Sequence, residues 1–101
     1  MAMKQESALV LKIKKELNSY DQSFFFKIHG GPMQMAGISD LIGVYKGKFV
    51  AIEVKTPSNK KGTTKLQDWF IDSVNNCGGI AFVAKSVQEV IDKIIEIDNT
   101  V

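Results

Sequence analysis

Two apolar-rich runs, Asp40–Tyr45 (DLIGVY) and Lys48–Lys55 (KFVAIEVK), meet at the dipeptide Lys46-Gly47. A two-residue connection ending in Gly between such runs is a strong hairpin signal, and a hairpin fixes which residues face one another. With Lys46-Gly47 as the turn, Tyr45 pairs with Lys48, and counting outward sets Asp40 opposite Glu53. A four-residue loop centred on the same pair gives the same register. Side chains alternate along a strand, so Phe49, Ala51, Glu53 and Lys55 share one face while Val50, Ile52 and Val54 share the other. Glu53 and Lys55 therefore project together near the strand's end, with Asp40 across from them.

The remaining chain supplies partners for this hairpin. From about Lys4 to Tyr20 the residues Leu9, Val10, Ile13, Leu17 and Tyr20 form one broad stripe at about 100° per residue, with Lys12, Lys14 and Lys15 outside it, so an amphipathic helix is expected. Ser23 to His29 (SFFFKIH) reads as a strand with Phe24, Phe26 and Ile28 on one face. Gly30 to Ser39 (GGPMQMAGIS) reads as a loop, as does the polar stretch from Thr56 to Thr63. A second helix is expected from about Thr64 to Cys77, stopped by Gly78-Gly79. The short apolar run Ile80 to Ala84 (IAFVA) suits a buried strand. Ser86 opens a last helix, with Glu89 completing a capping box and Val87, Val90, Ile91, Ile94 and Ile95 spaced for a core face. The order is αβββαβα, an α/β arrangement. An antiparallel three-stranded meander leads through a right-handed crossover to a parallel fourth strand, giving a mixed four-stranded sheet flanked by helices.

With 101 residues the chain is expected to form one domain, residues 1–101, around a modest core. No apolar run reaches the roughly 20 residues of a membrane span, and no signal-peptide pattern opens the sequence, so no membrane partner is expected. Cys77 is the only cysteine, which excludes a disulfide framework or a thiolate metal cluster and fits a reducing cytosol. The net charge is only +2, yet all 13 basic residues are Lys. Lysine suits phosphate contact, whereas reading guanine edges usually relies on the arginine fork. A nucleic-acid partner would thus be read through backbone or shape, unless the lysine excess is a mere compositional bias.

Two carboxylates opposed across a ladder repel and destabilise a sheet. A divalent cation between them reverses the sign, and a pair of carboxylates completed by water and phosphate is the oxygen site that Mg²⁺ or Mn²⁺ prefers. The apolar surroundings of Glu53 make it hard to explain as a solvated surface residue. Glu16, at the edge of the first helix's apolar stripe, is expected as a third acidic group, because a carboxylate turned toward a core needs a partner or a metal. Glu6 also lies under the stripe, but a place in the first helical turn would account for it through the helix dipole. Thr64 and Gln67 read as a capping box. Trp69 reads as a core residue before a base-stacking platform, His29 as a strand-end residue, and Cys77 as helix packing.

The runs G-I-S-D-L-I-G (37–43), A-I-E-V-K-T-P (51–57) and T-x-x-Q-x-W (64–69), followed by Gly78-Gly79, resemble the virus-type replication-repair nuclease (VRR-NUC) family, a branch of the PD-(D/E)XK superfamily. The resemblance extends from the first helix to the fourth strand. Asp40 matches the first motif acid, although Ser39 stands where Pro is common. Glu53-Val54-Lys55 matches the E-x-K element, Glu16 the helical Glu, and Gln67 the Gln that follows. The resemblance implies a restriction-endonuclease-like core in which Asp40, Glu53, the backbone carbonyl of Val54 and usually Glu16 hold the metal.

By the same resemblance the protein is expected to hydrolyse DNA phosphodiesters with Mg²⁺ or Mn²⁺, preferring branched DNA such as four-way (Holliday) junctions, in a bacterial or phage-infected cell. No nucleotide cofactor is expected. Lys55 would orient the attacking hydroxide or stabilise charge growing on the phosphate, and Lys60, Lys61 and Lys65 are placed to hold neighbouring phosphates. A sequence-specific restriction enzyme on the same core is disfavoured by the missing arginines and by the lack of a recognition region. A catalytically silent DNA-binding module is disfavoured by the intact carboxylates and Lys55. A homodimer is expected, since resolving a two-fold junction needs paired cuts. The FFF strand, the loop around Met33 and Met35, and the Ile-rich last helix are candidate interface material.

Overall fold

The structure, a computed structural model, describes residues 2–30 and 35–100. The middle of the expected glycine-rich loop, residues 31–34 with Met33, lies outside the described residues. The elements are α1 (Ala2–Asn18), β1 (Ser23–Lys27), β2 (Leu41–Tyr45), β3 (Lys48–Val54), α2 (Lys65–Asn76), β4 (Ile80–Ala84) and α3 (Val87–Asp98). The sheet order is β1-β2-β3-β4, with β1, β2 and β3 antiparallel and β4 parallel to β3. This is the mixed sheet expected from the sequence.

The hairpin turn is as tight as its dipeptide suggests. Lys46 and Gly47 both have positive φ, 49° and 84°, the pairing a type I′ turn needs to match the twist of its strands. Tyr45 consequently faces Lys48, and the ladder runs on to Leu41 opposite Ile52.

One face of the sheet carries the main core. Phe25, Leu41, Tyr45, Val50, Ile52 and Val54 pack beneath the stripe Val10, Ile13, Leu17 of α1 and the stripe Val90, Ile94, Ile97 of α3. Among the described residues the opposite face is covered by α2, which lays Phe70 over Ala51 and Ala81, and by Ile38 just ahead of β2. Phe24 and Phe26 do share a face, as expected, but it is this second one, and α2 does not reach them. They stay 66% and 44% exposed, and the core takes Phe25 instead. Trp69, expected in the core, lies on the flank of α2 and is 54% exposed. Cys77, the C-cap of α2, is exposed as well. Ser86 caps α3 as expected, but Glu89 reaches back to the amide of Lys85 rather than that of Ser86. Among the described residues no helix is long and apolar enough to cross a membrane.

Both outer edges of the sheet are closed by an asparagine side chain. Asn18, the last residue of α1, accepts from the Phe25 amide at 2.8 Å and donates to its carbonyl at 3.1 Å. Asn75, near the end of α2, does the same for Ala81 at 2.8 and 2.9 Å. Each primary amide thus stands in for one residue of an absent neighbouring strand. At the turn end, the Tyr45 hydroxyl donates to Asp98 at 2.7 Å and Lys46 pairs with the same carboxylate at 3.0 Å. They neutralise a negative charge at the C-terminus of α3 that the helix dipole would disfavour.

Asn18→Ala and Asn75→Ala are each expected to lower stability by about 1–2 kcal/mol, through loss of two hydrogen bonds to strand backbone. Because the two edges lie roughly 14 Å apart, three strand spacings, the double variant should show the sum of the two effects. Urea unfolding midpoints provide the measurement, and wild-type midpoints for both variants would contradict this account of the edges.

Candidate active site

Strand β3 outruns β2. The last residue of β3 with a β2 partner is Ile52, opposite Leu41, while β4 continues alongside through Val54 and, by the Lys55 amide, to Ala84. Asp40 fills the gap. Its backbone still accepts from the Ile28 amide at 2.9 Å, and its Oδ2 accepts from the Val54 amide at 2.8 Å. A strand residue's N–H and C=O leave the same side of the backbone, so the Val54 carbonyl also faces the Asp40 side. The next pair beyond Leu41–Ile52 in this register is Asp40–Glu53, as counted from the turn.

Glu53 is 2% exposed. Its Oε2 lies 3.2 Å from the Gln67 side-chain amide and 3.6 Å from the Lys55 ammonium, whose own side chain is 11% exposed. Its Oε1 is buried, and among the described residues no donor meets it. Burial and then the neighbouring charge of Asp40 push the Glu53 carboxyl up to about 8, against the opposing pull of Lys55. A carboxylate so placed is unfavourable unless something positive meets its free oxygen. The available donors are Glu53 Oε1, the Asp40 carboxylate and the Val54 carbonyl. All are oxygen, as a hard divalent cation requires. Among the described residues no three His, Cys, Asp or Glu side chains converge on one point, so two carboxylates form the nucleus of any such site.

Gln67 caps α2 and also reaches Glu53. Thr64 Oγ1 accepts from the Gln67 amide, and Gln67 Oε1 accepts from the Thr64 amide at 2.9 Å, completing the capping box. That leaves the Gln67 NH₂ group turned to Glu53. Gly37 brings α2 this close. Its φ is +85°, and a Cβ there would stand 2.5 Å from the Leu66 carbonyl group, so only glycine lets the segment leading to Asp40 run against the first turn of α2.

On the α1 side a cleft of about 580 Å³ is lined by Glu6, Lys27, Asp40, Asn59, Lys60 and Lys61, among others. Ser58 donates to Gln5 at 3.3 Å, joining the loop after Lys55 to the start of α1. Lys65 is exposed at the first position of α2 and is not among the residues lining this cleft. His29 is exposed just past β1.

Glu16 is not brought to this site. Its Oε2 accepts from the Tyr20 hydroxyl at 2.5 Å, and the Tyr20 ring stands edge-on to Tyr45, centroids 6.5 Å apart. Tyr45 is at the turn end of β2, roughly 17 Å along the strand from Asp40. The acid of α1 that lines the same cleft as Asp40 is Glu6, ten residues and about 15 Å earlier along the helix axis. Its apolar-stripe position needs no dipole explanation either, since α1 starts at Ala2 and its first turn holds no acid. Angle around a helix is legible from periodicity. Position along it depends on the strands to which the helix is docked.

The Glu53 carboxyl gives this site a pH signature. In the unfolded chain it titrates near 4.5, and in the folded chain at about 8. Between those values the folded state holds the extra proton, so this group's contribution is complete below about pH 4.5 and is lost as pH rises through 8. In chelator, urea midpoints of the wild type should fall between pH 5 and 8, and Glu53→Gln should flatten that fall. Parallel slopes for the two proteins would refute the assignment.

No family model matches the sequence, and no curated protein matches it. Among solved structures, one described as a "VRR_NUC domain protein" superposes with a TM-score of 0.70 over 88% of this chain and 84% of its own, at 20% sequence identity. The mixed sheet, the helices on both its faces and the strand end at Asp40 and Glu53 thus belong to a chain with the fold of a VRR-NUC domain.

Proposed function

We propose that the protein is a metal-dependent DNA endonuclease that hydrolyses phosphodiester bonds, with branched DNA, four-way junctions included, as its preferred substrate. The observation that carries this reading is the partnerless Oε1 of buried Glu53 beside Asp40, with Lys55 on the same face. Asp40, Glu53 and the Val54 carbonyl would hold Mg²⁺ or Mn²⁺. When bound, the ion supplies Lewis acidity that activates water and offsets phosphate charge.

The protein's own groups do the rest. Lys55, held nearly buried next to Glu53, stabilises charge that develops on the non-bridging oxygens or orients the attacking water. Gln67 fixes the Glu53 carboxylate so that Oε2 is engaged and Oε1 left free. Lys60 and Lys61, on the rim of the cleft, hold neighbouring phosphates, and Lys65 adds charge at the start of α2. Glu6, which lines the cleft with Asp40, takes the part of helical acid expected of Glu16. Branched DNA as substrate rests on the motif resemblance, and it asks for two centres acting as a homodimer.

Cleavage of single-stranded, duplex, flap and four-way-junction DNA with Mg²⁺ or Mn²⁺ tests the proposal, and absence of cleavage on every substrate refutes it. Asp40→Asn and Glu53→Gln should abolish cleavage and leave the protein folded. Lys55→Met keeps the aliphatic stem and should slow turnover by at least ~10²-fold, in line with loss of one electrostatic stabiliser. Glu6→Gln should reduce the rate by roughly tenfold or more, about 1.4 kcal/mol of barrier, whereas Glu16→Gln should cleave at the wild-type rate. The reverse ranking of the two helical acids would restore Glu16 to the site.

A further inference from the structure

We infer that the outer edge of β1 holds a phosphate of the DNA strand through Lys27, with Lys14 of α1 beside it, at the far end of the cleft from Lys60 and Lys61. This contact presupposes the DNA substrate of the nuclease reading and extends the grip on it to a strand that none of the sequence motifs includes.

Lys27 ends β1, the edge strand of the sheet, opposite Leu41. In an antiparallel edge strand the backbone groups of successive residues point alternately toward the neighbour and away from it. Phe25 turns its N–H and C=O outward, where Asn18 engages both. Ile28 turns its amide inward to the Asp40 carbonyl. Lys27, two residues past Phe25 and next to Ile28, therefore turns its own N–H outward, one step beyond the bonds that Asn18 makes. An outward strand amide needs an acceptor, and backbone N–H groups acting with lysine are a common grip on phosphate. The side chain agrees with the backbone. Lys27 lines the cleft of about 580 Å³ together with Glu6, Asp40, Lys60 and Lys61. It is partly buried there, yet among the described residues it forms no ion pair with either acid of the cleft. A lysine drawn into a cleft without a carboxylate is left for an anion from outside the chain.

Lys14 is set beside it by the same edge contact. Ser7, Lys14 and Asn18 fall within about 40° around α1 and so share one flank. The two ends of that flank are placed: Ser7 lines the cleft and Asn18 bonds Phe25. Lys14 stands four residues, about 6 Å, back from Asn18 along the helix. Lys27 stands two residues, roughly 7 Å, on from Phe25 along the strand. Because α1 starts at the cleft and β1 ends there, both steps lead the same way and bring the two lysines to one level. Lys14 too is partly buried and has no ion-pair partner among the described residues. Like charges at one level repel, and a phosphate between them reverses the sign. Lys60 and Lys61 follow β3, Asp40 precedes β2 and Lys27 ends β1. From β3 to β1 is two strand spacings, roughly 10 Å, or about three 3.4 Å steps of a DNA strand. A strand laid across the open end of the sheet thus meets lysines on both sides of the carboxylates.

Fluorescence anisotropy with a labelled duplex and a labelled four-way junction, in chelator so that nothing is cut, provides the test over a salt series. Lys27→Met keeps the stem and removes the charge. On the duplex the slope of log affinity against log salt should then fall by about 0.9, one phosphate contact. Lys14→Met should have the same effect, and the double variant should lose about twice as much. Lys27→Arg keeps the charge and should retain the wild-type slope. Lys12→Met, at an exposed position of α1, removes the same charge and should also leave the slope as it is. Circular dichroism should be unchanged throughout. With Mg²⁺, Lys27→Met should raise KM and spare kcat, since a phosphate held away from the reacting bond is bound equally before and in the transition state. A wild-type slope in Lys27→Met overturns the inference, as does an equal loss in Lys12→Met or a wild type that binds neither DNA. The two readings fail separately. DNA held through Lys27 but never cut sinks the nuclease alone, and cleavage with a KM untouched by Lys27→Met and Lys14→Met sinks the edge contact alone.

Discussion

Past Ile52, strand β3 has lost its β2 neighbour, and the side chain of Asp40 takes over, accepting from the Val54 amide as a neighbouring strand's carbonyl would. The rest of the sheet's open end depends on that substitution. It orders the last residues of β3 on the side where β2 has ended, commits one oxygen of Asp40, and holds the carboxylate close to Glu53. It also turns the Val54 carbonyl toward the same spot. A single hydrogen bond thereby brings oxygen atoms of two chain segments to one end of the sheet, and the first turn of α2 is fastened to them through Gln67.

The charge distribution along the sheet explains how such a site is tolerated. Toward the turn end, Glu16 has Tyr20 as its donor and Asp98 has Tyr45 and Lys46. Tyr20 is driven up to about 12 by burial and by its bond to Glu16, so it remains a donor at any physiological pH. At the open end, Glu53 has two weak neighbours for one oxygen and none for the other. The same hairpin is thus satisfied at one extremity and left wanting at the other, with the buried run Val50–Ile52 between them.

Much of this was legible in the sequence because it follows from short-range rules. The Lys46-Gly47 turn sets register, register and alternation set which side chains meet, and Thr64 with Gln67 announces a helix start. What escaped was information carried by docking. Periodicity put Glu6 under the apolar stripe of α1 and Glu16 at its edge, yet only the placement of the helix across the sheet decides which of them lines the cleft with Asp40. Likewise, the helical pattern of α2 is satisfied by Phe70, Ile71 and Val74. Trp69 is therefore left outside, and residue type alone could not foretell it. Glu89 departs by a single residue, bonding to the Lys85 amide, which is the scale on which caps vary between sequence and structure.

The two edge asparagines bear on how such a domain can change. A sheet normally widens by accepting another strand at its margin, whether from an inserted segment, an exchanged arm or a misfolded neighbour. Here the outer side of each marginal strand, at Phe25 and Ala81, already holds a side-chain amide in the place of that newcomer, so width is set at four strands without closure into a barrel. Variation is pushed elsewhere, to loops and helix ends, where added length leaves the strand register untouched. A descendant that did gain a fifth strand would first have to lose Asn18 or Asn75. Substitution at those positions is thus the mark to look for in any longer relative whose sheet has grown.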